Sequence, residues 1–93
     1  MNQILIKKYI MKASIDISMY PLNEDFTTPI LAYIDRLKSY PDIKVLGNTM
    51  STQIFGDYDR LMEILGIENK RAMENYPAMV IVFKLVNADL RPE

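Results

Sequence analysis

The stretch Ala13-Ser14-Ile15-Asp16-Ile17-Ser18-Met19-Tyr20 alternates strictly between apolar and polar side chains, apart from the closing Tyr20. Successive side chains of an extended chain point to opposite faces. Ala13, Ile15, Ile17 and Met19 therefore share one side, and Ser14, Asp16, Ser18 and Tyr20 the other. This period of two predicts a strand over Ile10–Met19 with one buried face, stopped by Pro21 and the Asn23-Glu24-Asp25 cluster.

Working outward, Thr28 followed by Pro29 has the form of an N-cap and a first helical residue. Ile30, Leu31, Ile34 and Leu37 then recur at helical spacing and leave Asp35, Arg36 and Lys38 for water, until Tyr40-Pro41-Asp42 closes the segment. An amphipathic helix packed on a flat surface is expected. Ile43–Leu46 and Met50–Phe55 read as a hairpin about Gly47-Asn48. Gly56-Asp57 is expected to break the second strand and to cap a helix carrying Leu61, Met62, Leu65, Ala72 and Met73. Gly66 is a point of division in it, since an interior Gly costs about 1 kcal/mol relative to Ala. Met79–Val86, almost continuously apolar, is the last strand.

The resulting order, strand, helix, strand, strand, helix, strand, is the α+β, ferredoxin-like βαββαβ arrangement. It implies a four-stranded antiparallel sheet with two helices on one face. The first and third strands are expected side by side and parallel at its centre. The second face is left open, and the apolar content of the strands argues against a bare wet surface there. Association of sheet faces into a homodimer or homotetramer follows.

The 93 residues, 49% hydrophobic and 25% charged, allow one domain over 1–93, with a core at about 10–87 and a polar C-terminal tail at 88–93. At this size roughly 60 to 65% of the unfolded chain's surface is buried on folding, a thin margin that association would widen. A formal charge of -1 supplies no field for a phosphate backbone, so no nucleic acid partner is expected. The apolar Met1-Asn2-Gln3-Ile4-Leu5-Ile6 is interrupted by Lys7 and Lys8, without a cleavage pattern or a span-length run. No membrane partner and a cytoplasmic location are expected.

The chain has neither Cys nor His, which removes disulfides, thiolate nucleophiles, the usual zinc ligands and the usual acid/base group of neutral pH. No phosphate loop, nucleophile elbow or nucleophile and base pair is present. No catalytic residues, no metal site and no cofactor are expected. Gly56-Asp57-Tyr58-Asp59 lacks the ligand spacing of a calcium loop and suits a turn and helix start; Asn23-Glu24-Asp25 suits a solvated turn. Met50, Met62, Met73 and Met79 read most simply as core, and Tyr33 and Tyr40 as helix residues with buried rings and wet hydroxyls. An RNA-reading sheet would need exposed aromatics on both central strands, and acylphosphatase-like chemistry an anion-cradling Arg near a phosphate loop; neither motif is present.

The polar side of the first strand remains. Asp16, with Ser18 and Tyr20, offers a carboxylate, a hydroxyl and an aromatic ring to a cation or an amine. Met50, Ser51 and Thr52 are read on the neighbouring third strand, where Ser51 and Thr52 point to opposite faces and only one reaches a pocket. A half-solvated strand explains the same pattern without any ligand.

Two landmarks carry a family likeness: Ile17-Ser18-Met19-Tyr20-Pro21-Leu22 and Gly47-Asn48-Thr49-Met50-Ser51-Thr52-Gln53-Ile54-Phe55-Gly56-Asp57. Their order and spacing resemble the YkoF-like thiamine- and hydroxymethylpyrimidine-binding proteins, over roughly residues 10 to 90. The resemblance implies a ferredoxin-like domain that assembles through its sheets and binds thiamine or its pyrimidine part without catalysis. Met50, Ser51 and Thr52 match the family's central motif, and Ser18 and Tyr20 the end of its first strand; Asp16 is chosen on physical grounds. Some members carry two such domains in one chain, and this sequence has one, so self-association would replace the tandem arrangement. The expected ligand-binding set is thus Asp16, Ser18, Tyr20, Met50, Ser51 and Thr52, in a carrier, sequestering or sensing protein. The alternative is a ligand-independent regulatory or oligomerisation module.

Overall fold

In the computed structural model, which describes residues 10–92, the strands are β1 (Lys12–Pro21), β2 (Lys44–Gly47), β3 (Thr52–Asp57) and β4 (Met79–Val86). Helix α1 (Thr27–Lys38) links β1 to β2, and helix α2 (Tyr58–Asn75) links β3 to β4. The sheet order is β2-β3-β1-β4, with every neighbouring pair antiparallel. The α+β architecture is the one that the hydrophobic periods imply. The apolar patch at Met1–Ile6 with Lys7 and Lys8, and the last tail residue Glu93, lie outside the described residues.

One expectation about direction is overturned: β1 and β3 are central neighbours but run antiparallel, with Ile15 opposite Ile54. The cause is geometric. The β2–β3 hairpin reverses the chain, so a strand inserted between β2 and β1, which run the same way, must oppose both.

The alternation of β1 holds. Ala13, Ile15 and Ile17 are almost fully buried and join Tyr33, Leu37, Ile54, Leu61, Ile64 and Leu65 in the core, with Met19 packed at its margin. The structure begins α1 at Thr27, and the Thr28 N–H donates to Asp25 Oδ1 at 3.1 Å. Asp25, rather than Thr28, therefore satisfies one of the unpaired amides of the first turn.

The hairpin turn falls later than Gly47-Asn48. Gly47 is still in register with Thr52, and the turn spans Asn48 to Ser51, closed by the Asn48 N–H on the Ser51 carbonyl at 3.0 Å. Asn48 Oδ1 also accepts the Met50 and Ser51 amides at 2.7 and 2.8 Å. An Asn side chain imitating a backbone turn explains the shift, since it gives these amides partners without strand pairing.

Neither glycine of the second half acts as a breaker. β3 continues through Gly56, which pairs with Ala13, to Asp57. A methyl group on Gly56 would meet Ile43 at 3.4 Å and Leu61 at 3.6 Å, ordinary van der Waals contact, so neither space nor backbone demands a glycine there. Asp57 precedes α2 without a capping hydrogen bond; its carboxylate instead takes the Lys12 ammonium at 2.6 Å. α2 runs unbroken past Gly66, which faces open space. Burial of Leu61, Ile64, Leu65, Glu68 and Ala72 along the opposite side of α2 outweighs one unfavourable residue.

The methionines divide. Met62 and Met79 pack on the core as expected, whereas Met50 is 84% and Met73 50% exposed. Among the described residues no helix is long and apolar enough to cross a membrane.

Candidate functional site

Register decides what stands on the open face. From β1 come Lys12, Ser14, Asp16, Ser18 and Tyr20; Phe55 and Gln53 of β3 lie opposite Ser14 and Asp16 on one side, and Val86, Lys84, Val82 and Val80 of β4 oppose Ser14 to Tyr20 on the other. Asp16 therefore occupies the centre of the face between Gln53 and Lys84.

The Asp16 carboxylate is partly buried and doubly engaged. Ser51 Oγ donates to Oδ1 at 2.7 Å, and the Lys84 ammonium stands 3.9 Å from Oδ2. The Lys84 side chain is 83% exposed, so the ion pair is loose and open to exchange with water or another cation. Ser51 reaches Asp16 because it lies two residues before Gln53 and so follows the same face as β3 begins.

Of the six expected site residues, Asp16 and Ser51 meet directly. Ser18 stands one same-face position beyond Asp16, opposite Val82. Tyr20 is four strand positions from Asp16, roughly 13 Å at about 3.3 Å per residue, and lies over Val80 with its ring half-exposed. Thr52 is 7% exposed on the helix-covered face, in register with Ile17, so it is Ser51 that aims at the open face. Met50 stands in the turn rather than on a strand, exposed to solvent. The turn is where the expected Met50-Ser51-Thr52 strand start fails.

The open-face recess also contains groups that the sequence did not single out. A pocket of about 190 Å³ is lined by Ser14, Asp16, Gln53, Phe55, Lys84 and Leu90. The C-terminal segment, expected as a plain polar tail, returns to this end of the sheet. Ser14 Oγ donates to the Ala88 carbonyl at 2.7 Å and accepts the Leu90 N–H at 2.8 Å. Phe55, although on the open face, is only 3% exposed in this region. Lys84 had a visible signal as the charged residue of an otherwise apolar last strand; Gln53 and Phe55 had none without the register.

A second, smaller crevice of about 90 Å³ lies on the helix side between α1 and the hairpin turn, where Met19, Ile34, Met50, Ser51 and Thr52 meet. Wider recesses of about 700 Å³ beside Asp57 and Arg60, and about 490 Å³ between the helices, are remote from Asp16. Among the described residues no group of three or more acidic side chains is placed to hold a metal ion.

No family model matches the chain, and no curated protein matches it by sequence. Solved structures do. A hypothetical protein from Methanocaldococcus jannascii shares 22% identity at a TM-score of 0.72, over 87% of this chain and 84% of that one. A Thermotoga maritima protein, provisionally assigned to thiamine biosynthesis or salvage, shares 17% at 0.73, over 86% and 84%. A Bacillus cereus domain of unknown function, DUF77, shares 10% at 0.63, over 87% and 80%. At these identities the likeness is one of fold, and it extends over most of each chain.

Proposed function

We propose that this protein binds a small cationic or amine-bearing aromatic ligand, of the thiamine or hydroxymethylpyrimidine type, on the open face of its sheet, without catalysing a reaction. The observation that carries the reading is Asp16: a carboxylate at the centre of the face, oriented by Ser51 and countered, among the described residues, by a solvent-exposed lysine. A ligand cation replaces the Lys84 ammonium at Oδ2, Ser18 and Gln53 supply hydrogen bonds beside it, and Phe55 offers an apolar wall. The fold likeness to a protein provisionally linked to thiamine biosynthesis or salvage supports the ligand class. Carriage, sequestration or sensing are the roles this chemistry serves.

The assembly proposed is a homodimer or homotetramer through sheet faces. Tyr20, Val80 and Val82, all 45 to 54% exposed, form an apolar patch at one end of the open face. The returning C-terminal segment occupies the Ser14 end. A partner therefore seats on the Tyr20 end and leaves the Asp16 pocket at the margin of the contact. The same patch favours the second reading, a ligand-independent oligomerisation module.

Calorimetric titration with thiamine and with hydroxymethylpyrimidine separates the two. Saturable heat that weakens in Asp16→Asn, with folding retained, supports binding at this site. Absence of heat and of thermal shift at millimolar ligand, in a chain that still associates, leaves the module.

A further inference from the structure

The two helices meet over an ion cluster that the proposed binding face does not use, a buried carboxylate held by two half-exposed arginines. Glu68 is 1% exposed, and its Oε1 accepts from both Arg36 Nε, at 3.3 Å, and Arg71 Nε, at 3.1 Å. Its Oε2 accepts the Tyr40 hydroxyl at 2.5 Å. Two guanidinium groups therefore share one carboxylate, and one positive charge remains unbalanced in the cluster. Each arginine engages Glu68 through Nε alone, which leaves the paired Nη ends of both forks without a protein acceptor among the described residues.

A single arginine would satisfy Glu68 and clamp the helices. The second brings a like charge to the same carboxylate oxygen, an arrangement that an additional anion relieves. Space for one is present. A recess of about 490 Å³ borders both arginines, with Pro29, Ala32 and Ala72 as apolar walls and Tyr76 at its rim. The Tyr33 ring also lines it, but its hydroxyl is committed to Asn69 Oδ1 at 2.5 Å, so the charged donors available to a guest are the arginines' own, with the Tyr76 hydroxyl and the Asn75 amide as neutral donors beside them. Asp35 and Glu74, the acidic residues nearest in sequence, pair with neither arginine.

We infer that the groove between α1 and α2 is a binding site for a small molecule carrying an oxyanion, a carboxylate or a phosphate monoester on an apolar body, held by the Nη groups of Arg36 and Arg71. Planar guanidinium forks bind either oxyanion through paired hydrogen bonds, and the buried Glu68 fixes where the forks stand. The groove lies on the helix side of the sheet, away from Asp16, so the site is independent of the open-face reading.

The test is titration of the full chain with sodium benzoate and with phenyl phosphate, followed by calorimetry and by the 15N-detected Nε–H signals of the arginines. Expected are saturable binding of at least one probe, concerted shifts of the Arg36 and Arg71 Nε signals, and an affinity about tenfold lower in Arg36→Gln and Arg71→Gln. Each variant leaves Glu68 one arginine, and circular dichroism checks that it folds; the signals of the unsubstituted protein give a readout that needs no variant. The relative affinities of the probes assign carboxylate or phosphate chemistry. No saturable response to either probe at millimolar concentration, or saturation without movement of the two arginine signals, overturns the site.

Discussion

The Ser51 hydroxyl donates to the Asp16 carboxylate at 2.7 Å and so ties the end of the hairpin turn to the middle of a central strand. This bond orients a charged group that would otherwise be free to rotate, and it selects Ser51 over its neighbour Thr52, which is buried under the helices.

The pair therefore separates by mutation. Ser51→Ala is expected to weaken thiamine binding several-fold, the loss of about 1 kcal/mol from one hydrogen bond in the site, with the fold unchanged. Thr52→Val, nearly isosteric and on the other face, is expected to leave affinity unchanged. Parallel calorimetric titrations check both; an effect of Thr52→Val equal to that of Ser51→Ala would move the site to the crevice beside α1.

Ser14 makes a second two-sided contact, donating to the Ala88 carbonyl and accepting from the Leu90 amide. In Ser14→Ala the C-terminal segment is expected to detach from the sheet, with much faster hydrogen exchange of the Leu90 amide and greater exposure of Phe55. Exchange measured by NMR on both proteins checks this. Equal Leu90 protection would show that other contacts hold the segment.

Gly66 faces open space on the solvent side of α2. Gly66→Ala is expected to stabilise the protein by about 1 kcal/mol, raising the melting temperature by roughly 4 to 8 °C for a chain of this size. Thermal unfolding followed by circular dichroism gives the answer, and a lowered melting temperature would mean that the helix needs its glycine.

Glu68 contributes to acid stability. Burial pushes its carboxyl up, but hydrogen bonds from Tyr40 and Arg36 and the charges of Arg36 and Arg71 more than offset this, holding it below its ordinary value of 4.5. With the folded value below the unfolded one, the stabilisation is fully present above about pH 4.5 and is lost as pH falls through the folded value. Glu68→Gln is expected to be about 2 kcal/mol less stable at neutral pH and to lose less on acidification than the parent. Exposed carboxylates held low by local partners, Asp25, Asp42 and Asp89, titrate in both proteins, so the difference between two urea series isolates Glu68.

Tyr33 and Tyr40 show where side-chain reading stops. Both were expected to keep wet hydroxyls. Instead Tyr33 donates to Asn69, and burial followed by the Glu68 charge pushes its phenol well above the ordinary range. Tyr40 donates to Glu68, and that bond is the first cause of its own upward shift. Tyr33 lies on α1, but Tyr40, expected on the same helix, stands two residues past its end, and their partners are 36 and 28 residues away on α2.

Element order, the buried face of β1, the last strand and the α+β architecture follow from the sequence alone, because a period of two or 3.6 residues is a local property that burial converts directly into shape. The polar set on β1, with Asp16 at its centre, is equally local. Only tertiary structure decided that β3 opposes β1, that the turn lifts Met50 into solvent, that Ser51 rather than Thr52 meets Asp16, and that Lys84 and Gln53 flank it. Each depends on strand register and turn geometry, where a shift of one residue exchanges the two faces of the sheet.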